Sequence, residues 1–318
     1  MKLPNFFNKL TRKSSKPKLG IGLDIGQATT RVIAISSNKD KPTISSFSSV
    51  PQEKTVLETV RKAINSLPVS DCPVNIGLSG AGVIIRYINL PKMTKEELRG
   101  AVQFEAEKHI PFPIKDVFLD AYILNENSGN NQMLVLLAAV KKELVSESMQ
   151  LMRSARLEIR IIDINALALM NVFFHCRKAG HFKQEQEDKS IALLDIGLKF
   201  SSLNIIEGEI PRLSRDISLG TGAFNSANKE TVFLNIANEL RRSFDFYESQ
   251  TDRSLEIIYL SGEGAKADNL DETLAQNLTL PIKFWDPSLN CNIADSVDKN
   301  LLKSQAHTLA VALGLALR

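Results

Sequence analysis

Apolar residues with strand spacing and apolar residues with helix spacing alternate along the first third of the chain. The β-branched-rich stretches Leu19–Ile25 and 30–35 have the composition of strands, and a glycine turn separates them. An amphipathic stretch follows at 56–67, and Val74–Leu78 is again strand-like. This alternation predicts an α/β fold.

A second unit follows between residues 83 and 162. Its helix should begin after Thr94, because Glu97 three residues later completes a capping box, and Pro111 and Pro113 should end it. The other apolar runs predict strands at 83–88, 117–124, 133–139 and 157–162 and a helix at Lys142–Ala155. This order predicts a small α+β insert of the split-βαβ type.

Length and composition describe a globular protein of about two domains. The chain has 318 residues, of which 43% are hydrophobic and 24% charged. Cys72, Cys176 and Cys291 lie far apart without CxxC spacing, which disfavours a zinc site or a disulfide framework and favours a reducing compartment. The longest apolar run, 133–140, is far shorter than the ~20 residues of a spanning helix, and the N-terminus lacks a signal-peptide core. These features predict a cytoplasmic protein.

Positive charge is concentrated at the N-terminus. The net charge is +3, but residues 1–18 carry only basic charges, so the rest of the chain sums to −3. This disfavours a general nucleic-acid binder, which should carry positive charge on its folded body. Leu3, Phe6, Phe7 and Leu10 share one helical face, so residues 1–13 either contact an anionic membrane or form a frayed terminus.

A strand, an aspartate and a glycine turn occur twice, 171 residues apart. Leu23-Asp24-Ile25-Gly26 recurs as Leu194-Asp195-Ile196-Gly197, and an apolar strand follows each turn. Backbone N–H groups in such turns bind anions, and paired carboxylates hold a metal ion through its waters. A third glycine turn, at 261–266, follows a strand at 257–260 and should open a helix near phosphate or ribose. Together the three turns predict a nucleotide site.

The three turns in this order resemble the phosphate and adenosine motifs of the actin-like ATPase superfamily. Within it the chain is most similar to the PilM family of type IV pilus assembly proteins, and more distantly to FtsA. The closer similarity is carried by the segments 90–93 (LPKM), 105–113 (EAEKHIPFP), 117–120 (VFLD), 238–244 (NELRRSF) and 310–318 (AVALGLALR). The resemblance extends from about Gly20 to the last residue.

The resemblance implies an actin-like two-lobed α/β ATPase fold, made of duplicated RNase H-like cores with an inserted α+β subdomain that contacts partners. The implied domains are a basic tail and linker at 1–18, a first lobe at 19–82, 163–189 and 300–318, an insert at 83–162, and a second lobe at 190–299 with a reduced small subdomain at about 226–250.

The resemblance also implies the ligands and their residues. ATP is expected as the ligand, with Mg²⁺ held through water by Asp24 and Asp195. The nucleotide-binding residues implied are Asp24, Gly26, Gln27, Thr29, Thr30, Asp195, Gly197, Lys199, Glu239, Arg242, Ser243, Gly262, Glu263, Gly264 and Lys266. In the family the helix that resembles 239–246 touches adenosine, although Glu239 and Arg242 have the spacing of an exposed ion pair as well.

The implied partner is the cytoplasmic N-terminal tail of PilN, lying in a groove between the insert and the first lobe. The residues expected to form its wall are Glu105, Glu107, Pro111, Phe112 and Pro113. Alternatively, the glutamates are solvated helix charges and Phe112 is a core residue. A PilN/PilO inner-membrane complex and self-association are further expectations, whereas nucleic acid is not expected.

Several positions depart from the family pattern. Gln27 and Ala28 follow the first DIG where the family offers hydroxyls, which leaves Thr29 and Thr30 as the nearest donors. In the second hairpin Leu198, Lys199 and Phe200 replace a small hydroxylated turn, and in the third Glu263 would bring a negative charge near phosphates. These departures predict weak nucleotide binding and weak or absent ATPase activity.

The leading hypothesis is a nucleotide-binding scaffold at the inner face of the bacterial inner membrane, within the type IV pilus assembly complex. The first alternative is a sugar or acetate-type kinase of the same superfamily, which needs a general base beside the substrate hydroxyl. No residue with that role is evident in the sequence. The second alternative is a divergent FtsA-like filament protein.

Overall fold

A computed structural model describes residues 19–37, 41–68, 72–182, 189–224 and 227–318. The strands are β1 (Leu19–Ile25), β2 (Thr29–Ser37), β3 (Pro42–Pro51), β4 (Val74–Leu78), β5 (Val83–Pro91), β6 (Val117–Asn125), β7 (Gln132–Lys141), β8 (Ile159–Ile164), β9 (Ser190–Ile196), β10 (Ser201–Glu207), β11 (Ile210–Ile217), β12 (Leu255–Ser261), β13 (Ile282–Phe284) and β14 (Asn292–Ile293). The helices are α1 (Val56–Asn65), α2 (Lys95–His109), α3 (Lys142–Ala155), α4 (Asn165–Lys178), α5 (Lys229–Thr251), α6 (Leu270–Leu278), α7 (Lys299–Gln305) and α8 (Ala310–Ala316). The amphipathic tail at 1–18 lies outside the described residues.

Two sheets repeat one topology. The first lobe is built on a six-stranded sheet in the order β14-β3-β2-β1-β4-β8, and the second on a five-stranded sheet in the order β11-β10-β9-β12-β13. In each, an antiparallel three-stranded meander precedes two strands parallel to its first strand. The LDIG repeat on β1 and β9 therefore reflects a repeated fold.

Helix α8 lies directly on β1, and glycines permit this close approach. A Cβ atom on Gly22 would lie 1.9 Å from the carbonyl oxygen of Ala312. A Cβ atom on Gly314 would likewise lie 1.9 Å from the carbonyl oxygen of Ala168 on α4. Every residue of α8 is buried, and the Asn75 side chain donates to the Leu315 carbonyl at 2.8 Å. The C-terminal segment is thus part of the first lobe's core.

The insert contains a three-stranded antiparallel sheet, β5-β7-β6, with α2 on one face. Thr94 caps α2, and both hydrogen bonds of the predicted capping box with Glu97 are present. The opposite face of the sheet contributes Leu136, Ala138 and Val140 to the first lobe's core. The insert is therefore anchored to the first lobe through its sheet.

Two predicted domain assignments are wrong. The strand expected at 157–162 does not join the insert, because β8 pairs in parallel with β4 in the first lobe's sheet. The insert consequently lacks the fourth strand of a split-βαβ unit. Likewise β14, expected in the second lobe, pairs with β3. The small subdomain expected at about 226–250 is a single helix, α5.

No helix in the described ranges is both long enough and apolar enough to cross a membrane.

The contact between β1 and α8 gives a stability prediction. Gly22→Ala should destabilise the protein by roughly 1–3 kcal/mol or more, because the new methyl group overlaps backbone atoms that cannot move independently. Gly100→Ala is the matched control, since a Cβ atom there meets nothing within 4 Å. On the exposed surface of α2 it should stabilise by about 1 kcal/mol. Denaturant unfolding of both variants checks this, and equal stabilities would contradict it.

Candidate functional site

A cavity of about 640 Å³ lies between the two lobes and the insert. The β1–β2 and β9–β10 hairpins, strands β5 and β11, the turn after β12 and one face of α5 line it. Its volume is in the range of small-molecule sites. Ligands of α/β sheets bind beyond the carboxyl ends of parallel strands, and β1, β9 and β12 all end here.

The first hairpin holds an aspartate and an arginine side by side. Asp24 on β1 is directly opposite Arg31 on β2. Both side chains are over 90% buried, and Arg31 Nη1 lies 3.7 Å from Asp24 Oδ2. Gly26 permits the tight turn, since a Cβ atom there would lie 2.4 Å from the carbonyl oxygen of Thr29.

The second hairpin, β9–β10, is stabilised by an additional glycine-containing segment, Gly220-Thr221-Gly222. The Thr221 N–H donates to the Gly197 carbonyl, and the Gly222 N–H to the Leu198 carbonyl, both at 2.9 Å. Asp195 accepts a hydrogen bond from the Ser261 hydroxyl at 2.7 Å. The 220–222 segment therefore fixes the backbone of this hairpin. The last residue of β12, Ser261, fixes its aspartate by a hydrogen bond.

The third turn is locked between the second hairpin and the segment that leads into α8. Gly262 has a left-handed φ of +89°, and its N–H donates to the His307 carbonyl at 2.8 Å. The Gly264 N–H donates to the Ile196 carbonyl at 2.9 Å. The predicted helix opening here is wrong, because turns follow and α6 begins only at Leu270.

An ion pair crosses the cavity between the lobes. Arg31 Nη2 of the first lobe lies 2.5 Å from Glu263 Oε1 on the third turn of the second lobe. Arg31 is 8% exposed and Glu263 20% exposed at the side chain. The guanidinium thus lies among the carboxylates of Asp24, Glu263 and Asp195, and it attracts all three.

Burial dominates the electrostatics of the two hairpin aspartates. It raises the pKa of Asp24 to about 6, against the opposing attraction of Arg31. Burial also raises the pKa of Asp195, against the hydrogen bond from Ser261. In both cases loss of solvation outweighs the favourable partner, so ionised carboxylates are costly in this cleft.

The α5 face expected to touch adenosine already has partners within the second lobe. Arg215 on β11 donates to the Ser243 hydroxyl at 3.0 Å and to Glu239 Oε2 at 2.7 Å. Arg242 donates to the other Glu239 oxygen at 2.7 Å, which is the exposed ion pair that the spacing also allowed. Ser243 and Phe246 are the α5 residues that line the cavity.

The structure brings nine of the predicted nucleotide-site residues to the cavity wall: Asp24, Gly26, Gln27, Asp195, Gly197, Lys199, Ser243, Gly262 and Glu263. It does not bring Thr29, Thr30, Glu239, Arg242, Gly264 and Lys266 there. Thr30 is fully buried in the first sheet, Gly264 packs against Ile196, and the Lys266 ammonium donates to the Ser304 carbonyl.

The residues present do not fit a divalent cation in this arrangement. Carboxylate oxygens and waters are the ligands Mg²⁺ prefers, and Asp24 and Asp195 supply that chemistry. However, the Arg31 guanidinium, with Nη1 3.7 Å from Asp24 Oδ2, puts a fixed positive charge beside that carboxylate and repels a cation there. Across the described ranges no three or more histidine, cysteine or acidic side chains are grouped to hold a metal.

The predicted partner-binding residues lie together where α2 ends. Glu107, Pro111 and Pro113 are exposed. Glu105 forms an exposed-surface pair with Lys108 at 3.0 Å. Phe112 is half-buried against the α2 side of the insert, and the Lys141 ammonium lies 4.5 Å from its ring centre. Phe112 therefore combines packing with partial exposure.

The two lobes and the cleft between them have the actin-like ATPase fold. A protein of that fold and unknown function from Bacteroides thetaiotaomicron is 10% identical, with 95% of this chain and 96% of that chain covered at a TM-score of 0.51. The cytoplasmic domain of EpsL, an inner-membrane component of the Vibrio cholerae type II secretion system, is 9% identical, with 94% of each chain covered at a TM-score of 0.50. These likenesses confirm the predicted two-lobed fold.

The chain belongs to the family described as type IV pilus assembly protein PilM, which it matches over residues 22–232 and 230–318. It is also similar to the solved PilM-PilN type IV pilus biogenesis complex. That match has 27% identity and a TM-score of 0.82, and it covers 96% of this chain and 99% of that chain. The predicted family is confirmed.

Sequence reasoning missed three contributors to the cleft. Arg31 is a charged residue within an otherwise apolar strand, and that exception was a usable signal. The Gly-x-Gly at 220–222 could have been compared with the other glycine turns. Arg215 carried no local signal, because its contacts with Glu239 and Ser243 connect residues more than 20 positions apart.

The raised pKa of Asp24 gives a prediction with a defined pH window. The native state holds this proton between pH 3.8 and about 6 whereas the unfolded chain releases it, so stability falls as the pH rises through that window. Asp24→Asn should therefore be more stable than wild type at pH 8, by up to roughly 3 kcal/mol, and not below pH 4.

Denaturant unfolding across that pH range measures the difference. Asp268→Asn is the control, because Asp268 is 93% exposed. An Asp24→Asn variant that is no more stable than wild type at pH 8 would contradict the dominance of burial.

Proposed function

We propose that this protein is a cytoplasmic scaffold at the inner face of the bacterial inner membrane, which binds the cytoplasmic tail of PilN in type IV pilus assembly. The observation that carries the proposal is the match to the PilM family from residue 22 to residue 318, together with the similarity to a PilM-PilN complex over nearly all of both chains. The kinase alternative is not favoured, since the family match accounts for both lobes and the insert.

The PilN tail is proposed to lie in the predicted groove between the insert and the first lobe, and the end of α2 with the neighbouring strand β6 is the proposed docking edge on the insert. β6 borders the insert's sheet, and no strand in the described ranges pairs with its outer side. It begins four residues after Pro113, so Glu105, Glu107, Pro111, Phe112 and Pro113 stand at one end of this edge strand. An extended peptide can add to such an edge through main-chain hydrogen bonds, with side-chain pockets giving specificity.

The PilN interaction can be tested by titrating a fluorescent peptide of the cognate PilN cytoplasmic tail. Wild type should bind, and Glu107→Lys should weaken binding several-fold while leaving the melting temperature within about 2 °C, because exposed charges contribute little to stability. Glu272→Lys on α6 of the second lobe is the control with the same charge change, and it should bind like wild type. Absence of binding by wild type would remove the main support for the scaffold.

The cleft between the lobes is the proposed site for ATP. Its volume, its three glycine turns and the buried Arg31 support a ligand that carries phosphates. Arg31, and not Mg²⁺, is the proposed cation beside Asp24. Hydrolysis is not part of the proposal either.

Three further contacts of the assembly are predicted. The PilN/PilO complex, self-association and a membrane contact through residues 1–13 stay predictions, and the last lies outside the described residues. Deleting residues 2–16 should abolish sedimentation with anionic liposomes if the tail binds membrane. Unchanged sedimentation would favour a frayed terminus.

A further inference from the structure

Arg31 is the buried cation among the basic residues of this cavity wall. It lies beside the glycine turn of the first hairpin, and its side chain is more than 90% buried. A buried guanidinium is suited to bidentate contact with phosphate oxygens. Of the other basic residues of the wall, Arg212 is paired with Glu207 and Arg215 with Glu239, and Arg86 and Lys199 are exposed to solvent.

Glu263 offers Arg31 an anionic oxygen acceptor, as a phosphate group would. Its carboxylate oxygen lies 2.5 Å from Arg31 Nη2, and it reaches the guanidinium from the opposite lobe. Carboxylates and phosphates compete for the same N–H donors of arginine. The Glu263 carboxylate therefore occupies the position beside Arg31 that an anionic ligand would take.

The turn that carries Glu263 has little freedom to withdraw. Gly262 and Gly264 flank it, and Cβ atoms on these glycines would lie 2.5 Å from the Ile196 carbonyl oxygen and 2.3 Å from Ile196 Cγ2. Their N–H groups are bonded to His307 and Ile196. The backbone around Glu263 is thus packed against the second hairpin, which directs the side chain at Arg31.

One hydrogen-bond donor of Arg31 nevertheless lacks an acceptor. Its Nε is buried and has no hydrogen-bond partner. An unpaired buried donor is costly, and a ligand with several oxygens could satisfy it together with Nη2. The unpaired donor points to a site that can still accept an oxyanion once the carboxylate is removed.

We propose that Glu263 is a built-in competitor of phosphate, which occupies Arg31, repels polyphosphates and joins the lobes without nucleotide. The inference rests on the proposed nucleotide cleft and deepens it, since it assigns to one residue the low affinity expected there. Glu263 is a specificity-determining residue in this account, because its charge decides whether the cleft accepts a phosphate chain.

The test compares wild type with Glu263→Gln and Glu263→Ala in titrations with ATP and with tripolyphosphate, each in Mg²⁺ and in EDTA. Both variants should bind both probes at least roughly tenfold more tightly than wild type, because a like charge is removed and Arg31 is freed. The gain should be present in EDTA, since no metal ion is required. Glu263→Gln preserves the side-chain shape if the alanine variant does not fold.

Glu272→Gln is the control for net charge, since Glu272 is an exposed residue of α6. It should bind both probes like wild type. Adding Arg31→Ala to Glu263→Ala should remove most of the gain, because the freed guanidinium is its main source and only the loss of like-charge repulsion is left. Without ligand, Glu263→Ala should unfold at a lower temperature than wild type, and tripolyphosphate should restore part of the loss.

Equal affinity of wild type and both Glu263 variants would overturn the inference, as would no detectable binding by any of them. A gain of undiminished size after Arg31→Ala would overturn it as well. Binding of the PilN-tail peptide separates this result from the scaffold proposal, because that surface lies on the insert. Variants that bind the peptide normally but show no phosphate gain refute only the role of Glu263.

Discussion

The ion pair between Arg31 and Glu263 joins the two lobes inside the cleft, where both side chains are largely removed from water. Charges taken out of water lose solvation, so such a pair adds little net stability compared with apolar residues of similar size. Removing one partner is different, because it leaves a buried charge uncompensated. The pair therefore acts mainly by fixing how β2 of the first lobe meets the third turn of the second.

Other contacts between the lobes depend on the same relative position. The aromatic side chains of Phe173 on α4 and Tyr259 on β12 approach within 5.6 Å between ring centres. The Tyr87 hydroxyl of the insert lies 2.9 Å from that of Ser214 on β11. The insert is thus held by both lobes, which gives the proposed docking edge a fixed orientation.

Local sequence signals predicted the elements well but not their assembly. The LDIG repeat, the Thr94 capping box and the strand ends at Asp24 and Asp195 are encoded within a few residues, and all are present. Sheet membership of β8 and β14 depends on pairing with distant strands, so apolar pattern could not assign it. The sequence also showed that Glu263 is an unusual charge in a glycine turn, but its partner Arg31 lies 232 positions away.

Hydrogen exchange at the Gly262 amide tests most directly whether the lobes are joined without nucleotide, because this N–H donates to the His307 carbonyl across the junction. Exchange of a peptide fragment that contains Gly262 should be measured by mass spectrometry with and without ATP. The account predicts strong protection in the absence of ATP and little change when ATP is added. Rapid exchange without ATP, followed by protection when ATP is added, would contradict it.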